Sequence, residues 1–304
     1  MKIKKITIGL VGLGLIGGSL GFDLQSLKTQ KNIPLNQSAD ENNFSISIQK
    51  IIGVSHRQST CERAKARGIV DEASIDLSLM AAADIIFICT PIALITATIK
   101  QLIPYIKPTT IVTDVGSVKQ PIVEVASNLW SNFVGGHPMA GTEKTGVEAA
   151  QYRLFVDRPY VITPTPLTSE YAIQIVSKIA QLLQSKVYIC QPQEHDQAVA
   201  WISHAPVMIS ASSLACLNEE SNTKVLQLAY QLASSGFRDT SRVGGGNPEL
   251  GVMMAQYNKA AILRSLTAYK NSLDEMIDLI EQDNWTALEE KLIQTQQTRK
   301  IFEF

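Results

Sequence analysis

Residues 6–20 read ITIGLVGLGLIGGSL, and this stretch decides the fold of the first part of the chain. A β-branched apolar run leads into Gly12-x-Gly14-x-x-Gly17, then into an apolar stretch without proline. Strand, tight turn and helix start is the context in which such a glycine fingerprint holds a dinucleotide. Gly12 permits the turn, Gly14 lets a phosphate approach the backbone, and Gly17 lets helix and strand pack closely. The helix start, at Leu15 and Ile16, offers N–H groups and a partial positive charge to a pyrophosphate. Lys2, Lys4 and Lys5 before an apolar run also mimic a secretory signal. Glycine is too frequent there for a signal helix, and no small-x-small cleavage site follows before Lys28. The run is too short to span a membrane, and no other apolar run reaches the length of about 18 that a span requires.

With 304 residues the chain is expected to form two domains around a large core. Hydrophobic residues make up 45% and charged residues 18%, the balance of a soluble globular protein. A formal net charge of −1 argues against nucleic acid or an anionic membrane as partner. Cys61, Cys89, Cys190 and Cys216 are scattered, with no CxxC and no metal-ligand spacing. They read as reduced thiols of a cytoplasmic protein without a metal site.

Outward from the fingerprint, short apolar runs recur at 51–54, 84–89, 110–114, 132–135, 160–163 and 186–190, with helical patterns between most of them. That alternation predicts an α/β, Rossmann-type, mostly parallel sheet with helices on both faces. After Pro192 the pattern is helical throughout: 194–217, 223–233, 248–282 and 284–299. The expected division is a dinucleotide-binding domain, 1–191, and an all-helical domain, 192–304, whose long apolar helices suit a homodimer. Residues 28–48, KTQKNIPLNQSADENNFSISI, are polar and read as a surface insertion.

The second strand of the nucleotide fold selects the cofactor. An acidic residue there accepts from the adenosine ribose in NAD-binding sheets. Here the strand ends at Ser55, followed by His56, Arg57, Gln58, Ser59 and Thr60, with no carboxylate. Hydroxyls and a forked guanidinium welcome a 2′-phosphate, so NADP is expected. The plainer reading has Ser59 capping the next helix and Arg57 solvated.

Loops beyond strand carboxyl ends carry ligands in such folds. Thr90-Pro91 follows one strand, and Val115-Gly116-Ser117-Val118-Lys119 the next. Ser117-x-x-Gln120 also reads as a capping box. Lys119 in a first helical turn opposes the helix dipole, which leaves it either near the ligand or as a solvated charge. Residues 133–141, FVGGHPMAG, put His137 after a glycine pair, and a histidine suits the removal of a hydroxyl proton. His195, in Glu194-His195-Asp196, reads as a capping or solvent-facing residue.

Taken in order, the fingerprint, DVGSVK at 114–119, GGHPMAG at 135–141, HDQAVAWISHAP at 195–206 and SSGFRDTSRVGGGNPEL at 234–250 resemble the prephenate/arogenate dehydrogenase family of tyrosine biosynthesis. The resemblance covers nearly the whole chain and is strongest to compact cyanobacterial-type arogenate dehydrogenases, which use NADP. It implies oxidative decarboxylation of a cyclohexadienol: hydride passes to the nicotinamide, the hydroxyl proton to His137, and the ring carboxylate leaves as CO2. It implies that Ser117 orients the hydroxyl or His137. His204 would line the pocket or be a core histidine bonded to a backbone carbonyl. Arg242 would grip the ring carboxylate, with Arg238 in support or paired with Asp239. The glycine run 244–246 would let backbone approach the ligand or a partner subunit.

Val207 and Gly251 stand where prephenate-using relatives often carry His and many relatives carry Trp. Arogenate is therefore expected, its amine facing a carboxylate such as Glu249, with prephenate the alternative. From the length, no mutase-like or regulatory domain is expected. A β-hydroxyacid dehydrogenase would want a lysine within 194–217, where none stands. A redox sensor that only binds NADP would need neither His137 nor Arg242.

Overall fold

The computed structural model describes residues 2–28, 33–34, 44–142 and 144–302. Nine strands occur among them: β1 (Lys2–Val11), β2 (Ile33–Pro34), β3 (Phe44–Val54), β4 (Glu72–Ser74), β5 (Ile85–Ile88), β6 (Ile111–Asp114), β7 (Phe133–Pro138), β8 (Pro159–Thr163) and β9 (Lys186–Ile189). They form one sheet in the order β2-β3-β1-β5-β6-β7-β8-β9, with β4 beside β3. Pairings from β3 through β7 are parallel, as are β3–β4 and β8–β9, whereas β2–β3 and β7–β8 are antiparallel. The α/β expectation holds. Chain order turns back between β1 and β5, the crevice where such sheets bind ligands.

Twelve α-helices accompany the described strands: α1 (Leu15–Lys28), α2 (Gln58–Ala66), α3 (Ile95–Leu102), α4 (Gln120–Leu129), α5 (Glu170–Leu182), α6 (Pro192–Val199), α7 (Ala205–Ala215), α8 (Thr223–Leu232), α9 (Ser235–Ser241), α10 (Pro248–Tyr257), α11 (Lys259–Glu281) and α12 (Trp285–Arg299). Two cores flank the sheet. On one side α1 and α5 contribute Leu20, Leu24, Ile175 and Ile179; on the other, α3 and α4 contribute Ile95, Ile99, Ile122 and Val123. Covering both faces explains why β5 reads as an unbroken apolar run, IIFI, with every residue buried.

The structure departs from the sequence reading in several places. The stretch 28–48 is not all insertion: β3 begins at Phe44, with Ile46 and Ile48 buried in a period-two pattern whose serines disguised it. Residues 29–32 and 35–43 of that stretch lie outside the described residues. The helix expected over 248–282 breaks at Asn258, and residues 235–241, unassigned before, form α9.

Compact packing divides the chain into Met1–Ala198 with Gly246–Tyr257, and Val199–Gly245 with Asn258–Phe304. The first unit thus extends past the expected boundary at 191 and includes α10, whose Tyr257 packs against the α3–α4 core. One helical run among the described residues, Pro192–Glu219, is long and apolar enough on average to cross a membrane, although polar residues interrupt it and no unbroken apolar run of that length lies within it. It includes α6, a π-helical turn over Ala200–His204, and α7. Its buried members include His195, Asp196, His204 and Ser210, polar groups that lipid would penalise.

Candidate active site

The carboxyl ends of β3, β1, β5, β6 and the parallel-paired start of β7 share one edge of the sheet. Gly12 follows β1 with φ +100°, a left-handed conformation that suits glycine, and its N–H donates to Val54 O at 2.9 Å. A Cβ on Gly12 would stand 2.6 Å from Cys89 O, and one on Gly17 only 2.0 Å from Gly12 O. Around Gly14 a Cβ would meet nothing within 4 Å. Gly12 and Gly17 are therefore required by packing of the turn, while Gly14 borders open space at the start of α1. A dinucleotide phosphate fits that cradle. Two orphaned hydroxyls farther along the edge, Thr90 Oγ1 and Ser117 Oγ, are buried without a hydrogen-bond partner. Buried polar atoms in that state call for a ligand or water, and they too fit a bound cofactor with its substrate. Pro91 precedes a short 3-10 turn over Ile92–Leu94.

Ser55 follows β3, largely buried, and its N–H donates to Ser74 O at 3.2 Å. His56 and Arg57 are exposed and Thr60 is partly exposed. Helix α2 starts after Arg57 with no side-chain cap, so Ser59 does not cap it.

Helix α4 is capped from a distance. The expected capping box fails because the helix begins at Gln120, after Lys119, and no side chain of the local loop caps it. Instead Asp196, from α6, accepts the Lys119 N–H on Oδ1 at 2.7 Å and the Gln120 N–H on Oδ2 at 2.8 Å. A carboxylate there also complements the helix dipole. Ser117 keeps its hydroxyl for something else.

Lys119 is not solvated, which corrects that reading of it. Its side chain is wholly buried, its ammonium pairs with Asp114, and it donates to Gly136 O at 2.7 Å. Burial pushes this amine below its ordinary range, against the pull of Asp114. Asp114 also accepts the N–H groups of Gly116 at 2.9 Å and Gly136 at 3.2 Å. The pair thus pins the β6 loop to the middle of β7. Gly136 allows this closeness, since a Cβ there would stand 2.7 Å from Asp114 O.

His137 lies within β7 rather than after it, opposite Val161 of β8. Its Nδ1 is 2.8 Å from Nε2 of His195, and His195 Nδ1 is 2.8 Å from Asp196 Oδ1. The two rings meet edge to face at 5.0 Å. His195 is 2% exposed, not a solvent contact as its place in a first helical turn suggested. Nothing in the spacing of residues 137 and 195 announces the contact. The dipeptide His195-Asp196 is the one local sign, because a histidine needs an acceptor to be buried.

Of the remaining candidates, His204, Arg238, Arg242 and Gly244 belong to the second unit and Glu249 to the first. His204 is fully buried, and its Nδ1 accepts from Asn258 Nδ2 at 3.1 Å. Arg238, on α9, pairs with Asp239 at 3.1 Å in the open, and Arg242 closes the same helix, exposed. Gly244 is held from within its own unit. Its N–H donates to Ser210 Oγ at 2.9 Å, and a Cβ would stand 2.3 Å from Ala211 N, so the glycine serves packing on α7. Glu249, in the first turn of α10, is exposed. Among the described residues no cluster of His, Cys, Asp or Glu suits a metal ion.

Comparison with known proteins places this geometry. Residues 45–199 match the model for the nucleotide-binding domain of prephenate dehydrogenase, and residues 191–294 match that for its dimerization domain. The prephenate dehydrogenase of Bacillus subtilis (strain 168) is 30% identical over 93% of this chain and 72% of its own length. The crystal structure of Synechocystis arogenate dehydrogenase aligns with a TM-score of 0.82 at 50% identity, covering 98% of this chain and 100% of that one. Prephenate dehydrogenase from A. aeolicus, in complex with hydroxyphenyl propionate and NAD+, shares the fold with a TM-score of 0.86 at 24% identity, covering 100% of this chain and 99% of that one.

Proposed function

The chain belongs to the prephenate dehydrogenase family, and from that premise we propose that it oxidatively decarboxylates arogenate to tyrosine with NADP. The observation that carries the choice of substrate is the 50% identity, over nearly both chains, to the arogenate dehydrogenase of Synechocystis. Residues 1–191 form the dinucleotide domain in this reading, and 192–304 the substrate and dimerisation domain.

Gly12, Gly14 and Gly17, with the backbone at Leu15 and Ile16, hold the pyrophosphate. Ser55, His56, Arg57 and Thr60 receive the 2′-phosphate, and Thr90 and Pro91 flank the nicotinamide. When bound, the nicotinamide takes up hydride. His137 removes the proton of the substrate hydroxyl, and Ser117, whose buried Oγ lacks a partner, orders that hydroxyl. Arg242 holds the ring carboxylate by a forked pair of hydrogen bonds, with Arg238 and His204 in support. Loss of CO2 leaves an aromatic ring, which drives the reaction.

The test is the rate of nicotinamide reduction by purified protein with arogenate or prephenate, each with NADP or NAD. Arogenate with NADP should be fastest. Faster turnover of prephenate would transfer the assignment to the family's other substrate, and tighter binding of NAD than NADP would remove the role given to Ser55. Ser55→Asp should move preference toward NAD, because its charge would face the 2′-phosphate.

A further inference from the structure

The proposed reaction needs a base but does not say which nitrogen of His137 serves or what holds it ready. We infer that His195 and Asp196 are positioning residues that fix His137 with its proton on Nδ1 and its lone pair on Nε2. The kinetic half of this inference rests on the proposed reaction. The structural half stands without it.

Proton bookkeeping along the row supports it. Asp196 spends Oδ1 and Oδ2 as acceptors for two backbone N–H groups at the start of α4. A carboxylate so placed can only accept, so the His195 Nδ1 beside it, at 2.8 Å, carries a proton. In a neutral ring His195 Nε2 is then an acceptor. It lies 2.8 Å from His137 Nδ1, which must donate to it. The lone pair of His137 is thereby assigned to Nε2, opposite the nitrogen tied to His195.

The row is built into the fold at both ends. His137 sits in β7, whose preceding residue, Gly136, is held by Lys119 and Asp114. Asp196 is immobilised by the start of α4. All three members are less than 9% exposed, at 8%, 2% and 4% for His137, His195 and Asp196. Water therefore does not compete strongly for their hydrogen bonds. When Nε2 takes the substrate proton, the O–H bond breaks and an N–H bond forms, while the O–H electron pair stays with the substrate. The positive charge created on His137 then borders the lone pair of His195 and, through that ring, the Asp196 carboxylate.

Nitrogen-15 spectra of histidine-labelled enzyme and steady-state kinetics test this together. The chain has four histidines, so each ring can be assigned by substitution. Wild-type enzyme with neutral rings should show the proton on Nδ1 of both His137 and His195. His195→Leu should lower kcat by about ten- to a hundredfold, with KM for substrate and cofactor within about twofold. It should also release His137 toward the Nε2–H form. His195→Gln places an amide oxygen where Nε2 stood, and should keep the His137 tautomer and recover most of kcat. A wild-type His137 protonated on Nε2, or a leucine variant that turns over normally, would overturn the inference. If the leucine variant fails to fold, the wild-type spectrum and the glutamine variant still decide. If the wild-type enzyme oxidises neither arogenate nor prephenate, the proposed function falls, and the spectrum continues to report the tautomer.

Discussion

Two of the three glycines of the phosphate turn, Gly14 and Gly17, do different work, and single alanines separate them. Gly17→Ala would drive a Cβ to 2.0 Å from a backbone oxygen, so the turn must deform. Its stability should fall by about 1–3 kcal/mol, the usual range for overpacking, with a lowered Tm. Gly14→Ala meets no protein atom within 4 Å and should leave Tm unchanged. It should nevertheless weaken cofactor binding, because the methyl group occupies the space a phosphate needs. Equal cofactor affinity in Gly14→Ala and wild type, by fluorescence titration, would contradict that cradle. Lys119→Met should destabilise the fold by about 3–5 kcal/mol in urea unfolding, since it leaves Asp114 buried without its cation. The glycine roles were legible because they follow from local backbone geometry. Lys119 was not, because burial of a lysine depends on a carboxylate and a carbonyl brought in by two strands, β6 and β7.

Between elements, single carboxylates tie strands to helices. Asp71 accepts the Ile51 N–H of β3 at 2.7 Å, Lys28 Nζ of α1 at 2.7 Å and Gln25 Nε2 at 3.2 Å. Burial acts to raise its pKa, but these bonds outweigh burial and hold the carboxyl below its ordinary value of 3.8. A carboxyl with a lowered folded value adds stability above its unfolded value and loses it as pH falls through the folded one. Wild type should therefore exceed Asp71→Asn by about 1–3 kcal/mol at neutral pH. The gap should close below pH 3.8, as followed by urea unfolding at several pH values. A gap that persists under strong acid would mean the bonds at Asp71 do not depend on its charge. Strand positions were readable from β-branched runs, and the sheet followed from their alternation with helices. The early start of β3 was hidden by serines, and the cap of α4 by sequence distance: its donors and Asp196 lie 76 and 77 positions apart.

At the scale of the whole molecule, the second unit leaves large apolar side chains in the open, among them Ile202, Leu228, Tyr230, Leu232 and Leu263. Leu232 is 70% exposed. A monomer seldom leaves so many unburied, and the matching family model for 191–294 is a dimerization domain. Light scattering at micromolar concentration should give twice the chain mass of 33.3 kDa. A monomer mass with full activity would refute the homodimer. The helical character of this region was plain from its periodicity, and its break at Asn258 was not, because no proline or glycine marks it. The carboxylate of Asp196 has one last consequence, for how sequences of this kind can change over time. It answers a neighbouring imidazole and two amides of a remote loop at once. A glutamate would move all three partners out of reach by one methylene, and no second residue can restore them singly. Descent should therefore tolerate drift at that position only when the histidine row changes in the same lineage, so divergent copies of the chain should substitute residues 137, 195 and 196 as a block or leave them alone, while residue 120, which offers Asp196 only its backbone N–H, can be anything but proline.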